Sequence, residues 1–459
     1  MVAPDLVKTP LMVLGGLMIV LMAFTSVELT LYLLIFSTLL SPEITFGGGS
    51  EAEIARGVID TTESRGVTLR LEDIILTLVC MTWLFRMAVI KELGMLRKTP
   101  LNQPIALYWI VTLISTMLGF FAGRVGLYGF FFVIKYLEYF VLFFMIINHL
   151  HDQDTIKRYL IIMIATCVIA SIVGIMQIPS GQRVSAPFEG ELGEPNTFGG
   201  YLVLMFSVVL GIFLHTVKSR RWYILLVIMG VILIPLAFTE SRSSYLSLMV
   251  SITLFVFISK NKRLLITACL AGAIMLPFVL PQNVIDRVMF TFNQTDQEGQ
   301  LHLGGVKIDT STTVRLESWN IAVTKYFPQH PALGVGVTGG PFLDAQYPRI
   351  LVETGMLGLL LFLWLLKRIW DVLRQGYEEI ENVSLRGASL GALCGFAGLL
   401  VHAIGTNTFI IVRIMEPFMI LIGLLSVALI MQREKEAEKE EENQQYNLQS
   451  VEGSQVLSQ

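Results

Sequence analysis

The chain is short of charge. Only 15% of its 459 residues are Asp, Glu, Lys or Arg, where a soluble protein would carry about a quarter. With 54% hydrophobic residues and a mean hydropathy of +0.67, a soluble globular fold is excluded. Cysteine is scarce as well. Cys80, Cys167, Cys269 and Cys394 all fall in apolar runs and show no CxxC spacing. Neither a disulfide framework nor a thiolate metal site is expected, and no metal or other cofactor is assigned. The first apolar stretch, from about Leu11, lacks a small-residue cleavage site, so no cleavable secretory signal is predicted. No internal repeat is visible, which disfavours a transporter built of inverted halves. The basic loops are short, so no nucleic-acid partner is expected.

What is present is apolar sequence in runs long enough to cross a hydrocarbon core of about 30 Å. The hydropathy predicts spans at 11–40, 70–90, 104–121, 130–148, 158–178, 197–215, 222–239, 243–259, 264–281, 348–366, 386–404 and 413–431. The first would be about 45 Å long as one straight helix. Glu28 interrupts it, so the count is 12 or 13. The fold class is therefore an all-α polytopic membrane protein with one transmembrane domain, 1–431, and a charged tail, 432–459. The tail is low in aromatics and predicts a frayed helix followed by disorder.

Lys and Arg in the short loops set the orientation. One set of loops holds Lys91, Arg97, Lys98, Lys157, Arg158, Lys218, Arg220, Arg221, Lys260, Lys262, Arg263, Lys367, Arg368, Arg374 and Arg386. The alternate set holds Arg124, Arg183, Arg242 and Arg413. The first set is read as cytoplasmic, with both termini. The loops 41–69 and 282–347 then lie outside.

Ionisable groups gather toward that outer face. Arg70, Glu72 and Asp73 open one span, and Glu240 and Arg242 mark a hairpin. Lys135 with Glu138, and Arg413 with Glu416, are spaced i,i+3 and share a helix face. His402 lies near the outer end of its span. Each pair alone reads as an ion pair within a bundle. The shared bias predicts a polar cavity open to the outside, where anionic groups are held. The large loop contains "VRLESWNIAVTKYF", with Leu316, Trp319, Val323 and Phe327 on one stripe and Ser311, Thr312 or Thr313 as N-cap. That pattern predicts an amphipathic helix on the membrane surface or over the cavity. "GVGVTGG" follows, but a lone GxG without a preceding strand is not a dinucleotide site.

Four stretches then occur in order: "EPNTFGGYL", "TESRSSYLSL", "RLESWNIAVTKYFPQHPALGVGV" and "LDAQYPRILVETGMLGLLLF". Together they resemble the O-antigen ligase/polymerase family of bacterial surface polysaccharide assembly, in detail over roughly 180–370. The resemblance implies a GT-C-type helical bundle in the bacterial inner membrane, with a large late extracytoplasmic loop. It implies a metal-independent glycosyltransferase using undecaprenyl-pyrophosphate-linked glycan, among membrane lipids, with a flippase and a chain-length regulator as partners. The family's two pyrophosphate-holding arginines fall on Arg242 ("ESRSS") and Arg315 ("VRLESW"). Ligases of the family carry His-Asn where this chain has Asp344-Ala345. That departure favours a polymerase of exopolysaccharide or O-antigen over a lipid A core ligase. His330, in "QHPALG", belongs to a different motif.

The chemistry asks for fixed guanidiniums aimed at a leaving pyrophosphate. It also asks for a carboxylate near the acceptor hydroxyl. Asp344 is the first candidate base and Glu353 the second. The competing roles are N-cap of the following span for Asp344, an intramembrane hydrogen bond for Glu353, and lipid headgroup binding for the arginines. Gln346 and Tyr347 are candidate sugar contacts, Tyr347 alternatively an interfacial anchor. Lys135, Glu138, Arg413 and Asn196 complete the expected substrate site. Rival readings are an O-antigen ligase, a protein O-oligosaccharyltransferase, a transporter of polysaccharide or lipid-linked sugar, and a non-catalytic assembly scaffold.

Overall fold

A chain segment crossing hydrocarbon must satisfy its backbone internally, and a single apolar run does so as a helix. The computed structural model describes residues 25–40, 43–46, 67–90, 97–188, 193–216, 221–259, 261–267 and 310–456, the pairs 302–303 and 306–307, and isolated positions near 18–22 and 270–271. Cys269, most of the expected span 264–281, the loop 282–301 and the side chains of Arg70, Glu72 and Asp73 lie outside them.

The described helices are α1 (Val27–Leu40), α2 (Leu71–Ile90), α3 (Asn102–Phe121), α4 (Leu127–His149), α5 (Gln153–Gln177) and α6 (Pro195–His215). They continue with α7 (Arg221–Phe238), α8 (Arg242–Ile258), α9 (Thr310–Ile321), α10 (Gln346–Glu379), α11 (Val383–Gly405) and α12 (Val412–Val456). Two short antiparallel hairpins accompany them, β1 (Glu43–Phe46) with β2 (Val67–Arg70) and β3 (His302–Leu303) with β4 (Val306–Lys307). Among the described residues, 7 helices are long and apolar enough to cross a membrane: α3 to α6 and α10 to α12. The protein is thus a polytopic helical membrane protein. The expected count of about twelve spans is not reached by this measure. Helices α7 and α8 occupy their expected positions with 18 and 17 residues.

Glu28 sits in the first turn of α1, where Tyr32 donates to its carboxylate and Arg158 lies 3.5 Å away. Helix α9 begins at Thr310, so Ser311, Thr312 and Thr313 lie inside its first turn and not at the cap. Its packed face is Thr313, Ser318 and the following Ala322, all small. The predicted apolar stripe is split: Leu316 (39%) and Val323 (49%) are exposed, while Trp319 and Phe327 are half-buried, Trp319 beside Tyr347. Helix α12 stays helical to Val456, through the segment for which composition predicts fraying and disorder. Its first charged turn is tied to neighbouring elements by Arg433–Glu379 (2.7 Å), Lys435–Glu381 (2.9 Å) and Arg97–Glu434 (3.1 Å).

The centre is a seam between α6 and α11. Helix α6 buries every residue from Thr197 to Leu214. Gly387 and Gly391 of α11, spaced i,i+4, face Gly211 and Ser207 of α6. A methyl group on Gly391 would lie 2.4 Å from the Ser207 carbonyl oxygen. Small residues at this spacing let helix backbones meet where lipid supplies no hydrophobic drive. Ser207 also shares a 2.7 Å hydrogen bond with Ser251 of α8. Gly391→Val is therefore expected to part the seam, costing about 1–3 kcal/mol or more. A lowered Tm of the detergent-purified protein would register it; an unchanged Tm would mean the helices separate freely.

One end of the bundle collects the site. There the connections 122–126, 178–188, 239–241, 331–345 and 406–411 meet. Arg183 donates to the carbonyls of Thr239 (3.0 Å) and Glu240 (3.3 Å), closing the end of α7. Asn407 donates to the Leu343 carbonyl at 2.8 Å.

Candidate functional site: a histidine-centred polar knot beside a broken helix

Helix α10 is broken at Gly355, whose φ of 66° and ψ of −167° no helix contains. The break leaves backbone groups without their helical partners, and the segment 331–336 supplies replacements. Val335 and Gly336 donate to the carbonyls of Val352 and Glu353, each at 2.9 Å. Met356 and Leu357 donate to Pro331 (2.8 Å) and Ala332 (3.2 Å). Ser115 of α3 donates to the Glu353 carbonyl at 2.6 Å and also meets the Leu333 carbonyl. Thr116 accepts from Val337 N–H at 3.2 Å. Irregular backbone at this depth persists because protein groups re-satisfy it.

Glu353 is drawn into that frame. Its carboxylate accepts from Arg349 at 2.9 Å and from Thr338 N–H at 3.4 Å. Thr338, with a φ of 65° unusual for a β-branched residue, is held by that bond. Arg349 also lies 5.8 Å over the Phe342 ring. Buried to 8% exposure, Glu353 is occupied in holding loop to helix. Tyr136 of α4 faces this ion pair. Next to it, Lys135 is buried with its ammonium 5.6 Å over Phe131, and Glu138 is half-buried one turn on.

Asp344 is half-buried and lies outside α10, whose N-cap is Ala345 without a side-chain cap bond. The N-cap position weighed for Asp344 thus falls one residue later, on Ala345. Gln346, fully buried, accepts the Phe409 N–H at 2.9 Å, while its Nε2 has no hydrogen-bond partner among the described residues. Asn407 Oδ1 is likewise buried and unpartnered. Tyr347 donates its hydroxyl to the Leu400 carbonyl (2.8 Å), its ring 6.4 Å from Trp319 of α9.

A polar cluster centres on His402 of α11, which is 0% exposed. Its Nδ1 lies 2.8 Å from both Thr406 Oγ1 and Thr408 Oγ1, and its Nε2 lies 3.3 Å from Ser244 Oγ. Thr406 donates its own proton to the His402 carbonyl (2.8 Å), and Ser244 donates to Ser241 Oγ (2.8 Å). Ser244 therefore has an oxygen lone pair to offer Nε2, and the Thr408 hydroxyl has a proton to offer Nδ1. The backbone of Asn196, in the first turn of α6, and the charge of Arg315 also face the ring. Arg315 packs on Gly405, where an added methyl group would lie 3.1 Å from its Nε and 3.3 Å from its Cζ. Arg242 begins α8, two residues before Ser244. Arg413 is fully buried and donates to the Pro187 carbonyl at 3.4 Å, with Glu416 buried one turn on.

Of the residues read from sequence, the structure brings Arg315, Asn196 and the Arg242 turn to one histidine. Gln346 and Tyr347 anchor the neighbouring α10 start, while Lys135 lies over Phe131 and Glu138 faces Cys80 of α2. His402 as the hub was missed. The available signals were a histidine inside an apolar span and the hydroxyl-rich "TESRSS" and "GTNTF". His330 meets Arg124 through a 2.7 Å contact at Nε2. Burial first, and then the Arg124 charge, hold it below the usual histidine range, so it serves as an acceptor.

No curated protein matches the chain. Residues 231–363 match the family model described as O-Antigen ligase. The match takes in just under a third of the 459 residues and includes Arg242, Arg315, Asp344, Gln346, Glu353 and the Gly355 break. It supports placing this multi-pass membrane protein in the O-antigen ligase/polymerase-like family, the one its four ordered motifs resemble.

Proposed function

We propose that the protein is a polysaccharide polymerase. It joins oligosaccharide repeat units carried on undecaprenyl pyrophosphate, at the outer face of a bacterial inner membrane, with both termini cytoplasmic. One observation carries this reading: Arg315 faces the His402 ring, whose Nε2 lies 3.3 Å from Ser244 in the first turn of the helix that Arg242 opens. In the transfer, an acceptor hydroxyl oxygen attacks the anomeric carbon of the lipid-linked glycan. The bond from that carbon to phosphate oxygen breaks, and its electron pair leaves with the lipid pyrophosphate. Arg242 and Arg315, both half-buried, stabilise the charge that builds there. The acceptor proton passes to Asp344, half-exposed beside the start of α10.

A flippase that delivers the lipid-linked unit and a regulator that limits chain length fit upstream and beside this reaction. Asp344-Ala345, where ligases carry His-Asn, favours polymerase over ligase. The test is polymer formation by the purified protein from lipid-linked repeat units. Transfer to lipid A core instead would return the ligase reading, and solute flux without transfer the transporter. Asp344→Asn is expected to cut turnover by about 10²-fold or more while donor binding is kept. Equal turnover would remove Asp344 as the base.

A further inference from the structure

Transfer as described leaves His402 without a chemical part, since a fully buried ring cannot touch the substrate. We propose that His402 is a positioning residue that holds Arg242 and Arg315 in fixed relation to one another. The inference rests on the polymerase reading. Its physical basis is that one imidazole bonds both the helix that Arg242 opens and the α11–α12 turn beside Gly405, on which Arg315 lies. Nε2 reaches Ser244 at 3.3 Å, in the same first helical turn as Arg242. Nδ1 reaches Thr408 at 2.8 Å and fixes the turn between α11 and α12. Gly405, three residues beyond His402, is the floor on which the Arg315 guanidinium lies. Gly200 of α6 closes the fourth side, where an added methyl group would come within 3.1 Å of the ring.

The neutral ring is the form this place requires. It supplies a donor on one side and an acceptor on the other, which no aliphatic residue does. It also adds no positive charge beside the Arg315 guanidinium, where a cation would be repelled. Without it, the Arg242 turn and the Gly405 floor lose their common reference. A misplacement on the order of 1 Å in groups that hold a reacting centre costs about 10²-fold in rate.

The experiment uses the full chain in lipid nanodiscs, with lipid-linked repeat units extracted from a transfer-deficient host as donor. Kinetics are read on the folded, monodisperse fraction. His402→Leu is expected to lower kcat at least about tenfold with KM for the donor nearly unchanged. His402→Gln, which retains a donor and an acceptor, is expected to recover most of that loss. Arg315→Lys combined with His402→Leu is expected to cost clearly less than the product of the single effects. A wild-type kcat in folded His402→Leu overturns the proposal, as do strictly additive effects, or a lowered Tm with kcat intact. Arg315→Ala in the same assay separates the two readings. If it transfers glycan normally, the polymerase reading fails; if it is inactive while His402→Leu runs at full rate, the positioning role alone fails.

Discussion

Arg315→Ala is expected to stop glycan transfer while leaving the protein folded in the membrane. The guanidinium is half-buried, lies on Gly405 and faces the His402 ring, so the substitution removes charge at the knot without opening a large apolar core. Removing one preorganised electrostatic donor costs about 10²–10³ in kcat in enzymes that stabilise developing negative charge. The loss here is expected to be at least that large, because a pyrophosphate leaving group carries more charge than one oxyanion. Arg315→Lys should restore only part of it: lysine keeps the charge and lacks the planar fork that matches phosphate oxygens. Polymer ladders and membrane abundance are the two readouts. Full-length polymer from Arg315→Ala at wild-type abundance would refute the clamp, and absent protein would make Arg315 a folding residue instead.

Gly355→Ala should have the largest effect on the fold. A non-glycine residue at φ 66° and ψ −167° costs about 1–3 kcal/mol from backbone strain alone. Its methyl group would also lie 2.4 Å from the Ala332 carbonyl oxygen, against backbone that cannot rotate away. Relief means withdrawing the 331–336 segment, which breaks four backbone hydrogen bonds to α10 together. Each orphaned buried group adds about 1–3 kcal/mol. The sum is comparable with the whole stability of an ordinary domain, about 5–15 kcal/mol. The expected result is near-complete loss of protein from the membrane, read by immunoblot and by fluorescence-detected gel filtration. Normal abundance and Tm would show that α10 can run unbroken through this position.

Most helices were legible in the sequence because an uninterrupted apolar run leaves the backbone few alternatives. The run at 104–121 became Asn102–Phe121, and that at 197–215 became Pro195–His215. The run at 348–366 told less. Helix α10 starts at Gln346 and continues through the charged "KRIWDVLRQGYEE" to Glu379, supported by pairs such as Lys367–Asp371 and Arg374–Glu378. Nor does hydropathy mark its break, because the partners that make Gly355 tolerable lie some twenty residues earlier in the chain. Motif order singled out the arginines as candidates. The His402 cluster was not legible, because His402, Ser244 and Thr408 meet only after α8 and α11 pack. Glu353 drew attention as an intramembrane carboxylate, yet its contacts with Arg349 and Thr338 are visible only in three dimensions.

The patch on α10 also fixes a length. Pro331 and Met356, Val335 and Val352 must meet in register, so the paired stretches 331–336 and 352–357 tolerate neither an added nor a deleted residue without losing their pairing. A reporter or epitope inserted between Pro331 and Gly336 to learn which side of the membrane that segment occupies would report a vanished protein instead. The frame thus fixes backbone spacing, and what varies around it without unfolding the chain is side chains.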